Sequence, residues 1–544
     1  MMHQLSFSHY IVLFSLFSQL SFAIEPLVQS SYGPVQGTAR NDKTIDWLGL
    51  RFGAPPVGDL RFSAPVDPTP SPDNKTFVAN QFGSVCVSTP SNPDDTTRSE
   101  DCLFLNIFAP QNATRNSNLP VYFFLQGGGF ASNAAPNWNG SGLVIASGYN
   151  MIVVQPNYRV GLYGFLAGEE IKKGGSVNNG IKDQIKALEW VKKNIKEFGG
   201  NPNHVVIGGD SAGAASVMYL ITAYGGRDDH LFVAAAAESQ SFGTQLSIEQ
   251  SQYQYDNFVI RTGCASEEDT LKCIRSLSPR DIALVNRVTP YPGAQSAPLY
   301  MYSPTIDNDL IPDYTYRLLN QGKFIRVPTI FGDDTNGGTS FAPRSTKDIG
   351  ESNSWLKDQF PALKLDQLDK LNELYPPTND AFPNSGPYWR QLSNVYGEMR
   401  YLCPGLFASA AYRKFGVPSW NYRYNVEDPG QMASGVGVPH VAEAQVIWGP
   451  DYVGGPASLA DPQGFNRPII PVVQAYWISF VRARDPNRFR WAGSPVWEIW
   501  GSGSGSEDWN RIKIQTGKTE MERVDEGQRT RCEYLHSIGV DIWQ

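Results

Sequence analysis

Val205-Val206-Ile207-Gly208-Gly209-Asp210-Ser211-Ala212-Gly213-Ala214-Ala215 decides how the chain is read. Three β-branched residues predict a short buried strand, and the small residues after Ser211 predict a tightly packed helix. The turn between them is Gly209-x-Ser211-x-Gly213. A serine on a sharp strand-to-helix turn, with glycines where side chains would clash, is a nucleophile elbow. The helix that follows would aim its first amides at developing negative charge.

Upstream of this stretch, Ile181, Ile185, Leu188, Val191, Ile195 and Phe198 recur at spacings of three and four, which predicts an amphipathic helix. The apolar runs Val121–Leu125 and Met151–Val154 predict two further buried strands. Strand, helix, strand in this order is a parallel crossover unit, so the expected class is α/β, one large sheet with long insertions. The strand at Val121–Leu125 runs into Gln126-Gly127-Gly128-Gly129-Phe130. Glycines there let backbone N–H groups approach a substrate oxygen, and no GxxxxGK[ST] pattern supports phosphate binding instead.

Composition narrows the function. Lys and Arg number 45 against 53 Asp and Glu, a net charge of −8 with no basic run, which excludes a partner bound by phosphate neutralisation such as nucleic acid. With 41% apolar residues the 544-residue chain can bury a large core. Its 51 glycines and 39 prolines imply many loops. No CxxC spacing or histidine cluster suggests a metal or cofactor, and none is expected. Residues 1–23 read as a signal peptide, with a short apolar run from Tyr10 to Leu20 and Ser21-Phe22-Ala23 before the cut. No later stretch is apolar enough to span a membrane. Secretion permits disulfides: Cys86–Cys102 and Cys264–Cys273 read as local loops, and Cys403 and Cys532 are left for a long-range bridge. The sequons at Asn74, Asn112 and Asn139 suit a glycosylated surface.

Several longer motifs, in order, resemble the type-B carboxylesterase/lipase family, the cholinesterase-like branch of the α/β hydrolases. They are Pro55-Pro56-Val57-Gly58-x-Leu60-Arg61-Phe62, Glu100-Asp101-Cys102-Leu103-Phe104-Leu105-Asn106, Asn157-Tyr158-Arg159-Val160-Gly161, Asp183-Gln184, and Phe198-Gly199-Gly200-Asn201-Pro202 leading to the serine. The resemblance covers most of the chain after the signal, is closest to secreted fungal members, and implies an α/β-hydrolase fold with residues 24–544 as one catalytic domain. It implies Ser211 as acyl-forming nucleophile and Gly128, Gly129 and Ala212 as oxyanion-hole amides. It also implies two bracing ion pairs, Arg51 with Glu100 and Arg159 with Asp183. Elimination agrees on the base: His204 opens the nucleophile strand, His230 lies in a charged turn, and His536 is close to the C-terminus. That leaves His440, late in the chain as the order serine, acid, histidine requires.

The chain departs from the family at the triad acid. Where family members carry a Glu in Asp-Glu-Gly-Thr, this sequence reads Gly332-Asp333-Asp334-Thr335-Asn336-Gly337-Gly338-Thr339, with Gly337 at the acid position. Asp333, Asp334 and Glu443 are the candidate substitutes. The other readings are a slow esterase without an acid and a weakly active or inactive cholinesterase-like binding protein. Lid-bearing lipases of the family have a long amphipathic first Cys-bounded loop, whereas residues 87–101 are short and polar and lack a Trp for a quaternary ammonium. The expectation is a secreted serine carboxylesterase for small or medium esters. An acyl-transfer or ester-forming step in a secondary-metabolite pathway is the enzymatic alternative.

Overall fold

The computed structural model describes residues 26–70, 72–378, 380–502 and 508–544. The signal peptide expected over 1–23 lies outside these residues. Among the described residues, one sheet takes eleven strands. In chain order they are β1 (Thr38–Ala39), β2 (Thr44–Arg51), β3 (Phe104–Pro110), β4 (Leu119–Leu125), β5 (Ile152–Pro156), β6 (Gly200–Asp210), β7 (Ala234–Glu238), β8 (Thr329–Asp334), β9 (Ser419–Tyr424), β10 (Asn510–Ile514) and β11 (Glu520–Arg523). Their spatial order is β11-β10-β9-β8-β7-β6-β4-β5-β3-β2-β1. The run from β10 to β5 is parallel, and the edges at β11 and at β3, β2 and β1 are antiparallel.

The apolar runs are continuous because both faces of the sheet are covered. Along β4, Val121, Phe123 and Leu125 enter the core on one face, while Tyr122 and Phe124 enter the core on the other. β5 and β6 divide in the same way, with Ile152, Val154, Val205 and Ile207 facing the first core and Val153 and Val206 the second. The expected helix forms as α1 (Asn179–Asn194), continued by a 3₁₀ turn over Ile195–Phe198. Its stripe of Ile181, Leu188, Val191, Ile195 and Phe198 packs into the first core, where Phe198 meets Trp47 edge-on at 4.9 Å. After β6 come α2 (Ala212–Thr222), α3 (Trp389–Gly397), α4 (Cys403–Lys414), α5 (Ala442–Trp448) and α6 (Glu526–Ile538). A third core forms around Trp389, Tyr396 and Leu535, beneath the loop that follows β8.

All three cysteine pairs are closed: Cys86–Cys102, Cys264–Cys273 and Cys403–Cys532, with Cα separations of 5.0, 5.7 and 5.1 Å. The last ties α4 to α6. Asn74 and Asn112 are exposed; Asn139 is half-buried, and its Oδ1 accepts the Ser141 amide at 3.0 Å.

The ion pairs correct one expectation. Arg159 and Asp183 pair as anticipated, at 2.7 Å and almost wholly buried. Arg51 does not pair with Glu100; it binds Asp101 at 2.6 Å, and Glu100 is taken by Arg61 at 2.8 Å. The reason is burial. Arg61 and Glu100 are enclosed, and Arg61 also donates to the carbonyls of Ile274, Arg275 and Leu277, whereas Arg51 and Asp101 keep a solvent-exposed side. A buried charge is retained only with a partner and hydrogen bonds, so the buried arginine takes the buried acid.

Candidate active site

β6 ends at Asp210 and α2 begins at Ala212, so Ser211 makes the whole turn. Its backbone sits at φ 55°, ψ −118°, a conformation costly for any residue with a side chain. The surroundings hold it there. A Cβ on Gly209 would lie 2.6 Å from the Leu125 carbonyl oxygen, and one on Gly213 only 1.8 Å from the same atom. The Ser211 amide donates to the Glu238 carbonyl at 3.0 Å, tying the elbow to the end of β7. Ser211 itself stays half-exposed.

The glycine run after β4 folds over the elbow. A Cβ on Gly127 would come within 2.8 Å of the Ser211 Cβ, so the two turns touch. Gly128 and Gly129 take φ +121° and +63°, which turns the backbone sharply here. The Gly127 amide donates to Asp210 Oδ1 at 2.8 Å, so the residue before the serine pins the loop. Burial pushes the Asp210 carboxyl up to about 7, while that amide opposes the rise. Among the described residues, the amides of Gly128, Gly129 and Ala212 donate to no protein acceptor. Amides left without an acceptor beside the serine are the kind of donor a developing oxyanion needs.

The histidines lie in four different surroundings. His204 Nε2 lies 2.9 Å from the Val481 carbonyl, exposed His230 faces Asp228, and His536 stacks on Phe407 at 3.7 Å. His440 precedes α5 and lies against Tyr401 and Phe341, with ring centroids 4.2 and 5.2 Å away. Neither of its ring nitrogens has a protein partner, although the residue is only 8% exposed. Burial, reinforced by the charge of Arg400, pushes its imidazole down to about 3.

The position left empty at Gly337 faces this imidazole. A Cβ there would stand 3.9 Å from His440 Nδ1 and 3.5 Å from Asp333 Oδ1, both ordinary contacts. Asp333, Asp334 and His440 bring one ligand-type atom each within 4.8 Å of one another. The three candidate acids are not equivalent. Ser239 Oγ sits 2.7 Å from Asp334 Oδ2 and 2.6 Å from Glu443 Oε1, and Glu443 also accepts the Tyr422 hydroxyl at 2.7 Å. One hydroxyl carries one proton, so Ser239 can donate to only one of the two carboxylates at a time. Burial and the neighbouring Glu443 push Asp334 well above the carboxylate range. Asp333 is free of this network. Its Oδ1 accepts the Asp334 amide at 3.1 Å and its Oδ2 has no partner. Burial raises it, then Glu443; the Asp334 amide and Arg511 pull the other way.

The sequence reading missed Asp210, Ser239, Tyr401 and Arg400. Asp210 had a signal, as the residue between Gly209 and Ser211 of the elbow. The same Asp333, Asp334 and His440 cluster is close enough to ligate a cation, but Asp334 is committed to Ser239. The second cluster, Glu398 with Cys403 and Cys532, has its sulfurs joined in a disulfide.

This geometry has relatives. Residues 24–534 match the model of the carboxylesterase family. Secreted lipase 4 of Gibberella zeae is 29% identical over 526 residues, 92% of this chain and 91% of the relative. Secreted lipase 1 of Botryotinia fuckeliana is 31% identical over 508 residues, 84% of each chain. The crystal structure of Aspergillus niger EstA superimposes with a TM-score of 0.91 at 38% identity, covering 96% of this chain and 99% of that one. The chain therefore belongs to the carboxylesterase family, carboxylic ester hydrolases of the α/β-hydrolase fold.

Proposed function

We propose that the chain is a secreted serine carboxylesterase, a single catalytic domain acting on small or medium soluble esters. The observation that carries the reading is Ser211, held in a strained turn by glycines no other residue can replace, against a glycine loop whose Gly128 and Gly129 amides have no acceptor. Ser211 Oγ attacks the ester carbonyl while His440 takes its proton. The carbonyl oxygen gains the electron pair and is received by the Gly128, Gly129 and Ala212 amides. Collapse expels the alkoxide, which leaves with the proton from His440, and an acyl-enzyme remains. Water, deprotonated by His440, repeats the sequence and releases the acid.

Asp333 is the member of the carboxylate set that orients the imidazole, because Asp334 and Glu443 are engaged by Ser239. The substrate class rests on the Cys86–Cys102 loop, from which no large apolar side chain stands exposed. Although relatives carry the name lipase, such a loop gives little apolar area for an oil surface. Three disulfides, exposed sequon asparagines and relatives named as secreted support the extracellular assignment. Among the described residues, no helix is long and apolar enough to cross a membrane. The test is a p-nitrophenyl ester series on the purified protein. Turnover should peak at short or medium acyl chains, vanish in Ser211→Ala, and show no jump when a substrate passes its solubility limit. Long-chain preference with such a jump would refute the substrate class.

A further inference from the structure

Between α3 and α4 the helix carries a π-helical stretch, Glu398–Leu402. Its cause is Pro404, which has no N–H to give to the carbonyl four residues back. That carbonyl belongs to Arg400, and the Phe242 amide satisfies it instead at 2.8 Å. The distortion brings two successive side chains, Arg400 and Tyr401, into the candidate active site. Tyr401 packs on the His440 ring. Arg400 is 8% exposed, yet among the described residues no carboxylate pairs with it and its Nε has no hydrogen-bond acceptor. Its guanidinium lies 4.9 Å from the Tyr300 ring centroid and 5.8 Å from that of Tyr401. Tyr300 in turn lies against the oxyanion loop, since a Cβ on Gly129 would overlap its ring at 1.9 Å. A Cβ on half-buried Gly243 would come within 3.0 Å of Nη1 and 3.1 Å of Nη2, so the glycine keeps the guanidinium edge uncovered.

A buried guanidinium is costly unless an anion meets it, and the groups whose charge acts on Arg400 are the phenols of Tyr396, Tyr401, Tyr300 and Tyr219. We propose that Arg400 is an anion-recognition subsite, and that the preferred substrates are esters carrying a free carboxylate a short distance from the scissile bond, such as hemi-esters of short dicarboxylic acids. The carboxylate would take bidentate, charge-assisted hydrogen bonds from the guanidinium. It would also cancel the one positive charge that opposes formation of the His440 imidazolium. Arg400 would thus act on kcat as well as KM, through an interaction that neutral esters cannot supply. The proposal rests on the esterase reading above.

The experiment compares methyl hydrogen glutarate with its neutral analogue methyl valerate by pH-stat, on the wild type, Arg400→Met and Arg400→Lys. The wild type should favour the hemi-ester in kcat/KM by at least about tenfold. Arg400→Met should lose that preference, with kcat/KM for the hemi-ester falling at least about tenfold further than that for methyl valerate, and Arg400→Lys should keep part of it. Preference for the neutral ester in the wild type, or a parallel fall for both substrates in a folded Arg400→Met, overturns the subsite. Free glutarate supplies the second readout: it should raise the melting temperature of the wild type and not that of Arg400→Met. If neither ester is turned over, the esterase reading fails, and the glutarate shift alone decides the subsite.

Discussion

The substituted acid gives the sharpest prediction. If Asp333 orients His440, Asp333→Asn leaves the nucleophile and oxyanion loop untouched but removes the charge that stabilises the imidazolium. Loss of a triad carboxylate typically costs about 10⁴ in turnover, a barrier increase of about 5 kcal/mol. Gly337 offers a rescue. Its φ is not positive and its Cβ direction is open, with nearest contacts of 3.5 Å to Asp333 Oδ1 and 3.9 Å to His440 Nδ1. A Glu there is free of backbone strain and its carboxylate can reach the imidazole. Gly338 next to it has no such freedom, because its Cβ would meet the Ser393 carbonyl oxygen at 1.9 Å. In the wild type, Gly337→Glu would bring two carboxylates within about 4 Å, a repulsion of about 4 kcal/mol at intermediate dielectric. The single variant should therefore gain nothing. In the Asp333→Asn background the repulsion is gone, and Gly337→Glu should restore at least about 10² of the lost turnover. The assay is kcat for p-nitrophenyl acetate, normalised by titrating active serine, with near-ultraviolet circular dichroism to confirm folding. A hundredfold gain in Gly337→Glu alone, or an Asp333→Asn kcat within tenfold of wild type, would refute the reasoning.

The pH profile carries the same logic. Activity needs Asp333 ionised and His440 neutral; burial raises the first pKa and lowers the second to about 3, so the acid limb of kcat/KM follows Asp333 and lies above the ordinary carboxylate value of 3.8. In Asp333→Asn the residual activity should persist to lower pH, and a limb that stays or rises contradicts the assignment. The Cys403–Cys532 bridge spans 129 positions and Cys264–Cys273 only 9. Chain entropy then predicts a loss of about 5 kcal/mol for the double alanine variant of the first and about 2.7 kcal/mol for the second, read from urea unfolding. Asp183→Asn strands Arg159 inside the protein, and the same assay should register a loss of about 3–5 kcal/mol.

The elbow, the strands around it and the helix before it were legible because each depends on local sequence: a glycine on either side of the serine, continuous apolar runs, a stripe at three and four. What was not legible depends on which side of a loop faces inward. Glu100 and Asp101 are neighbours, and nothing local says which is buried, so Arg51 was matched to the wrong one. Sequence names Asp333, Asp334 and Glu443 as substitutes for the acid missing at Gly337 but does not choose among them; two of the three, Asp333 and Asp334, lie near His440 at the end of β8. Asp333 and Asp334 differ only in what Ser239 does to one of them, and Ser239 follows a strand that was not expected at all. Arg400 looks in sequence like one more solvated charge on a helix. Only Pro404 hinted that the helix is wound differently there.

The central claim is that Ser211 is an activated nucleophile served by His440. Its most direct measurement is covalent capture: intact-mass and peptide analysis after incubation with a fluorophosphonate. The account predicts one adduct per chain, on Ser211, at a rate far above that of free serine, absent in Ser211→Ala and strongly slowed in His440→Ala. A folded wild-type protein that stays unlabelled, or an adduct that forms equally fast without His440, would contradict it.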